Sequence, residues 1–472
     1  MLTTLLRDSR ALASLAVPLI LTQLAQVALT TTDTVMMGLL GTRELAAGGL
    51  AIVIFNQLRT MGVGLVTSVG NQIASAAARG ERATAEAGRE GGTGPKGGDG
   101  EGHEEVRAIV RASLAVATLA GIAGAVLLIL LGQTLTWFGQ DAEIVELTQT
   151  MLLALAPGLL PCLWFQAIRQ FTVGMRRPQA LLQITLASIA VNAGLNWLLI
   201  HGTWILPRLG LTGVGAATST VYLLSFLALY VSAKRDSELA PLLSMNAAKA
   251  DAATVKRLIG LGVPIAATYG SEAGFFSLTA LMAGSFGPAA LAAHTAVNQL
   301  VYIVFQVAVG LSHAASINVS RELALGRADD ARRIKNTALA CAAAVMAVVG
   351  IVYLVMPQLV LAPFLDSGSD RALTIATHLL VVTAFLQFFD CAQNIGVGLL
   401  RGLDDTKSGF RITLVGYWAV GLPAAWLLAY PLGLDTLGIW LGLLTGLATT
   451  AMLLLRRYSQ SLVGRVSDPV PA

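Results

Sequence analysis

Apolar blocks of 18 or more residues recur along the whole chain, and a block of that length with few charges can cross a bilayer as a single helix. In lipid every backbone N–H and C=O must be satisfied internally, which leaves only helices and closed barrels. Barrel strands would read as alternating segments of about ten residues, a pattern the chain does not show. The predicted class is therefore an all-α polytopic membrane protein. Composition agrees, with 55% hydrophobic and 12% charged residues, where soluble domains carry about 25% charged.

Twelve transmembrane helices are predicted, at roughly 12–37, 46–76, 108–133, 147–172, 180–201, 211–233, 254–285, 290–318, 334–362, 372–399, 409–430 and 436–455. The first block is too long for a signal h-region and is expected to be a retained span. Placing both termini in the cytoplasm puts 26 of the 31 Lys and Arg residues on that side, the bias that sets orientation in a multi-pass protein of an inner membrane. The basic isoelectric point is thereby explained by topology, and no nucleic-acid partner is expected. Cys162, Cys341 and Cys391 all lie in apolar blocks, so neither a disulfide framework nor a zinc site is implied.

The chain repeats itself. At an offset of 246, Pro18 aligns with Pro264, Gly38 with Gly284, Gly41 with Gly287, and Leu45-Ala46-Ala47 with Leu291-Ala292-Ala293. Further on, Ile184-Thr185-Leu186 matches Ile412-Thr413-Leu414 at an offset of 228, so the first copy holds extra residues in between. The Gly88–Gly102 run supplies them and is expected to be a flexible cytoplasmic insert at about 84–105. Its glycines lack the G-x-x-x-x-G-K-[ST] spacing of a phosphate cradle. The predicted organisation is a six-helix lobe at 1–233, a cytoplasmic linker at 234–253 and a second six-helix lobe at 254–472. An even number of spans per copy gives the lobes one orientation, related by a pseudo-two-fold along the membrane normal.

Three carboxylates fall inside spans: Asp33 in the first, Glu272 in the seventh and Asp390 in the tenth. Such groups are costly in lipid, about 2.5 to 3.5 kcal/mol on the most lenient scale, and they mark ion or substrate paths unless they close a structural pair. Each has polar company. Thr268 and Tyr269 lie one turn before Glu272, with Phe275 and Phe276 one turn after it; Asp390 has Gln387 at i−3 and Gln393 and Asn394 at i+3 and i+4. In the fifth span Asn192 and Asn196 share one face. They either bond a neighbouring helix or offer hard oxygen ligands to a small cation. At the 246 offset Glu272 corresponds to Gln26 and Asp33 to Thr279, so the acids are placed asymmetrically. Arg59 and Arg169 pair with the acids or reach water from the ends of their spans, and the second is expected of Arg169. The scattered His294, His313 and His378 suggest no metal site.

Gly262-Val263-Pro264, followed by Glu272 and Phe275-Phe276, resembles the seventh span of the multidrug and toxic compound extrusion family in its NorM-like bacterial branch. The run Asp390, Gln393, Gly398, Leu400-Arg401-Gly402 and Asp404-Asp405 is similar to the tenth span of that branch. So are Asp33 with Met37-Gly38, and Gln166, Arg169, Gly174 and Pro178. The resemblance covers nearly the whole chain. It implies a multidrug efflux antiporter, not an enzyme, that exports small cationic drugs in exchange for Na+ or H+ by alternating access, with no cofactor and no obligate protein partner. It implies coupling-cation binding by Glu272 and Asp390, with Tyr269, Gln387 and Gln393 as supporting candidates and Na+ as the candidate metal. Asp33, Asn192, Asn196 and Thr220 would form the polar site of the first lobe, and Phe275, Phe276 and Gln26 are candidates for lining the substrate path. Some members carry a Tyr four residues before the tenth-span Asp, where this chain has Leu386. A lipid-linked precursor flippase and a passive channel are the rival readings. An anionic headgroup would call for intramembrane Arg or Lys, whereas the central spans here offer acids.

Overall fold

In the computed structural model, residues 2–89, 97–365, 368 and 370–467 are described, and they form helices joined by short turns, with no strand among them. The helices are α1 (Leu2–Leu40), α2 (Thr42–Thr67), α3 (Val69–Arg89), α4 (Gly97–Thr134), α5 (Ala142–Gly174), α6 (Gln179–His201) and α7 (Leu211–Arg235). The second half holds α8 (Ala252–Gly284), α9 (Pro288–Ala324), α10 (Ala328–Val355), the short α11 (Pro357–Leu361) and α12 (Asp370–Gly402). It ends with α13 (Thr406–Leu414), a π-helical stretch at Val415–Gly421, α14 (Leu422–Ala429) and α15 (Asp435–Ser467).

Eleven helical stretches among the described residues are long and apolar enough to cross a membrane. α8 is not one of them, although it is 33 residues long. Thr268, Tyr269, Ser271 and Glu272 lower the hydropathy of its centre. The expected insert is shorter than its composition suggests. α3 runs on to Arg89, its alanine-rich last turns carrying an Arg82–Glu86 pair at i,i+4, and α4 is helical from Gly97. The remainder of the insert, 90–96, lies outside the described residues.

The chain divides into two units. One is Leu21–Ala266; the other joins Met1–Ile20 to Ala267–Ala472. The divisions cut α1 and α8 just beyond Pro18 and Pro264, residues that remove a helix hydrogen bond wherever they stand inside one. The segment 234–253, expected as a linker between lobes, belongs wholly to the first unit. Arg177 pairs with Asp236 and Glu238, Leu239 and Leu242 are buried, and the segment packs on α4.

Within the first unit α5 is central and packs on α2, α4 and α7. Its approach to α7 depends on small residues, the means by which helices associate where lipid is as apolar as Leu. A Cβ on Gly158 would lie 2.6 Å from the Cα of Ser219, and the Ser219 hydroxyl donates to the Ala154 carbonyl at 2.6 Å. The start of α8 packs on α2 in this unit. A Cβ on Gly64 would fall 2.8 Å from the Cα of Ala266, and one on Gly262 2.3 Å from the Leu65 carbonyl oxygen.

The second unit is built around α12, which packs on α9, α10 and α15. Gly398 and Gly402 lie against Ser312 and Ser316 of α9, and Ser312 donates to the Asn394 carbonyl at 2.7 Å. The start of α1 packs here on α9, where a Cβ on Gly310 would lie 2.9 Å from the backbone nitrogen of Ile20. Gly310 and Ala266 are the 246-offset counterparts of Gly64 and Ile20. The same small residue thus admits the exchanged helix start in both copies.

Candidate cation sites

In the first unit Asp33 projects from α1 and is 6% exposed. Asn192 and Asn196 of α6 donate their amides to its Oδ1 at 2.7 and 2.9 Å, and Thr218 of α7 donates to its Oδ2 at 3.1 Å. The i,i+4 spacing sets both asparagines on one face of α6. Three neutral donors hold the carboxylate, and no Lys or Arg forms an ion pair with it among the described residues. The amide oxygens of Asn192 and Asn196 are buried and lack a hydrogen-bond partner among the described residues. Buried amide oxygens of this kind are costly, so the site combines a carboxylate with two unsatisfied hard donors.

Thr220, expected at this site, is exposed and bonds the Ala216 carbonyl of its own helix. Two residues along a helix is about 200°, so Thr218 and Thr220 face opposite ways. Gln26, also on α1, is half-buried. Arg169, expected to reach water, is 2% exposed and donates to Gln166 at 3.3 Å. Arg59 donates to Asn56 at 3.2 Å.

In the second unit α8 and α12 bring Glu272 and Asp390 into one hydrogen-bonded chain. Gln393 donates to Glu272 Oε1 at 3.2 Å; Asn394 donates to Gln393 Oε1 at 3.1 Å and to Asp390 Oδ1 at 3.3 Å. Asp390 is buried and Glu272 partly so. Neither acid is ion-paired to a Lys or Arg among the described residues. No cluster of three or more His, Cys, Asp or Glu residues is present among them, so a cation held here would draw on the two carboxylates and the amide and hydroxyl oxygens around them.

Two of the expected supporting side chains point elsewhere. Gln387 donates to the Met346 carbonyl of α10 at 2.9 Å, and its buried amide oxygen has no partner among the described residues. Tyr269 is hydrogen-bonded to Arg401, a buried guanidinium that also donates to Ser316 at 3.2 Å. Phe275 is fully buried against Tyr417, with ring centroids 4.9 Å apart, and is part of the core instead of a lining surface. Phe276 meets Phe275 edge-on at 5.8 Å and is only partly buried.

The sequence reading missed Thr218, Tyr417 and Trp418. Trp418 donates its indole N–H to Ser271 at 2.8 Å, one residue before Glu272. Tyr417 and Trp418 lie in the π-helical stretch, and π insertions concentrate at functional sites. The available signal was an aromatic pair between Gly416 and Gly421. The close contacts those glycines make with Thr450 and Gly446 of α15 do not follow from local sequence.

A family model described as MatE matches residues 18–94, 100–198 and 264–427. A probable multidrug resistance protein NorM from Pseudomonas aeruginosa is 34% identical over 450 residues, covering 94% of this chain and 88% of the relative. One of the same description from Bradyrhizobium diazoefficiens is 34% identical over 461 residues, covering 95% and 93%. Among solved structures, a Vibrio cholerae MATE transporter in a bent form superposes with a TM-score of 0.82 at 14% identity, covering 99% of this chain and all of that one. A eukaryotic MATE transporter gives 0.78 at 20% identity, covering 98% and 99%.

Proposed function

The chain belongs to the MatE family, and from that premise we propose that it is a secondary multidrug antiporter, exporting small cationic amphiphiles against inward Na+ or H+. The observation that carries this reading is the Glu272–Gln393–Asn394–Asp390 chain, two carboxylates joined through neutral amides inside one unit. A carboxylate out of water is costly unless a proton, a bound cation, an ion pair or several hydrogen-bond donors satisfy it. Glu272 and Asp390 each accept one side-chain amide bond and have no ion pair among the described residues, which leaves their charge for a proton or a cation to balance, and its arrival and departure become events the protein can couple to export. Asp33 supplies a second such centre, held by Asn192, Asn196 and Thr218. Conformational coupling then follows from differential affinity, since a ligand shifts an equilibrium only by binding one state more tightly.

The fluorescence of a cationic dye retained by cells expressing wild type, Glu272→Gln, Asp390→Asn and Asp33→Asn tests the proposal, with and without sodium and with a proton uncoupler. Each C-terminal-unit variant should retain at least about tenfold more dye than wild type, the effect of losing one charge-assisted contact. Export by both variants at the wild-type rate rejects the coupling role. Sodium-independent export that the uncoupler abolishes identifies the ion as H+.

A further inference from the structure

A cavity of about 320 Å³ opens in the second unit where α8 ends and α9, α12 and α15 begin, so it lies at one end of the spans and not among the buried acids. Phe286, Ile375, Leu379 and Leu437 form an apolar wall. Arg371, His378 and Asp435 supply the polar lining. On α12, Arg371, Ile375, His378 and Leu379 follow i, i+4, i+7, i+8 spacing, one continuous face of the helix. The face runs from a guanidinium past an apolar side chain to an imidazole, and both polar residues are exposed.

Across the cavity Asp435 opens α15 with φ at 51°, a left-handed conformation that side chains adopt seldom and that gathers at ligand clamps. Arg371 and Asp435 carry opposite charges into one cavity, yet they form no ion pair with each other or with any described residue. His378 likewise makes no hydrogen bond among the described residues. Beside the wall, Phe286 stacks on Tyr430 at 5.0 Å, and Tyr430 shares a hydrogen bond with Ser285 at 2.6 Å and lies near the exposed Trp426. Aromatic groups with one apolar and one polar end mark the membrane–water boundary.

The geometry points to a binding site for a zwitterionic headgroup carrying a phosphodiester and a primary ammonium, with its glycerol and upper acyl carbons on the apolar wall. Arg371 and His378 take the phosphate, Arg371 through the forked donors that suit an anionic oxygen pair. Asp435 takes the ammonium, whose three N–H donors a trimethylammonium lacks. A glycerol headgroup offers Asp435 only neutral hydroxyls and no ammonium to balance its charge. The site therefore selects phosphatidylethanolamine over phosphatidylcholine and phosphatidylglycerol. It is independent of the transport reading, because none of its residues belongs to either carboxylate centre.

The test uses the full chain in nanodiscs of equal parts palmitoyl-oleoyl phosphatidylethanolamine, phosphatidylcholine and phosphatidylglycerol, released into native mass spectrometry. Wild type should retain the ethanolamine lipid about tenfold over the other two, Asp435→Asn should erase that preference, and Arg371→Gln should lower retention of all three about tenfold. Arg208→Gln, outside the cavity, should keep both preference and retention, and Arg371→Lys should recover part of the retention. Equal retention of the three lipids by wild type overturns the proposal, as does a preference that survives Asp435→Asn. If Arg371→Gln fails to fold, the wild-type preference and Asp435→Asn decide the matter. Soluble glycerophosphoethanolamine separates the sources of the headgroup. Displacement of the retained lipid at millimolar concentration shows that the headgroup chemistry alone is bound, and retention in its presence assigns the site to the membrane lipid.

Discussion

Thr218 and Thr220 provide the sharpest contrast at the scale of single residues, because only Thr218 has its hydroxyl on Asp33. A hydrogen bond to a charged group contributes about 1.5 to 3 kcal/mol, so Thr218→Val should shift the half-saturating cation concentration for export about tenfold or more. Thr220→Val should leave it within about twofold, both measured as cation-driven export in proteoliposomes. The two asparagines were legible in the sequence because i,i+4 spacing fixes a shared face wherever the helix points. The threonine was not, because spacing along α7 says nothing about which face meets α1. Gln387 and Gln393 differ for the same reason. Both are helical neighbours of Asp390, yet the packing of α10 takes Gln387 and the approach of α8 gives Gln393 its carboxylate partner. Gln387→Leu is accordingly expected to change cation dependence less than Gln393→Leu in that assay, although it removes a buried bond to Met346.

At the level of helices, apolar length made most of the spans legible, and it worked least well where α8 carries its polar centre. Close approach between helices was less visible, because a glycine is informative only once its neighbour is known. Gly442 of α15 lies where a Cβ would sit 2.3 Å from the Cα of Ala425, whereas Gly409 of α13 has nothing within 4 Å of that position. Overpacking of this kind costs about 1 to 3 kcal/mol or more where backbone must move. Gly442→Val should therefore lower the thermal unfolding midpoint in detergent by several degrees, and Gly409→Ala should not lower it. The π-helical stretch depends on the same crowding, since Gly416 and Gly421 let it lie against Thr450 and Gly446 while its aromatic pair meets α8.

For the whole molecule, the distribution of Lys and Arg predicts which ends of the spans face the cytoplasm, and the exposed turns make that testable. Trp204 is fully exposed in the turn between α6 and α7, and Asp329 is exposed at the start of α10. In a variant lacking the three native cysteines, a Cys at 204 should react with a membrane-impermeant maleimide in intact cells. A Cys at 329 should react only after permeabilisation, and the reverse pattern would invert the orientation. The internal repeat was legible from Pro18 and Pro264 onward, but the boundary it suggested was not the one the packing makes. A cut in the 234–253 connection would look natural, yet it would strand Gly262 and Ala266 away from Leu65 and Gly64, and Ile20 away from Gly310. Each fragment would carry a helix start whose complement is on the other piece. Halves expressed separately should therefore accumulate poorly and recover when co-produced, so that the two genetic copies, whatever their ancestry, are now inherited as one indivisible gene product.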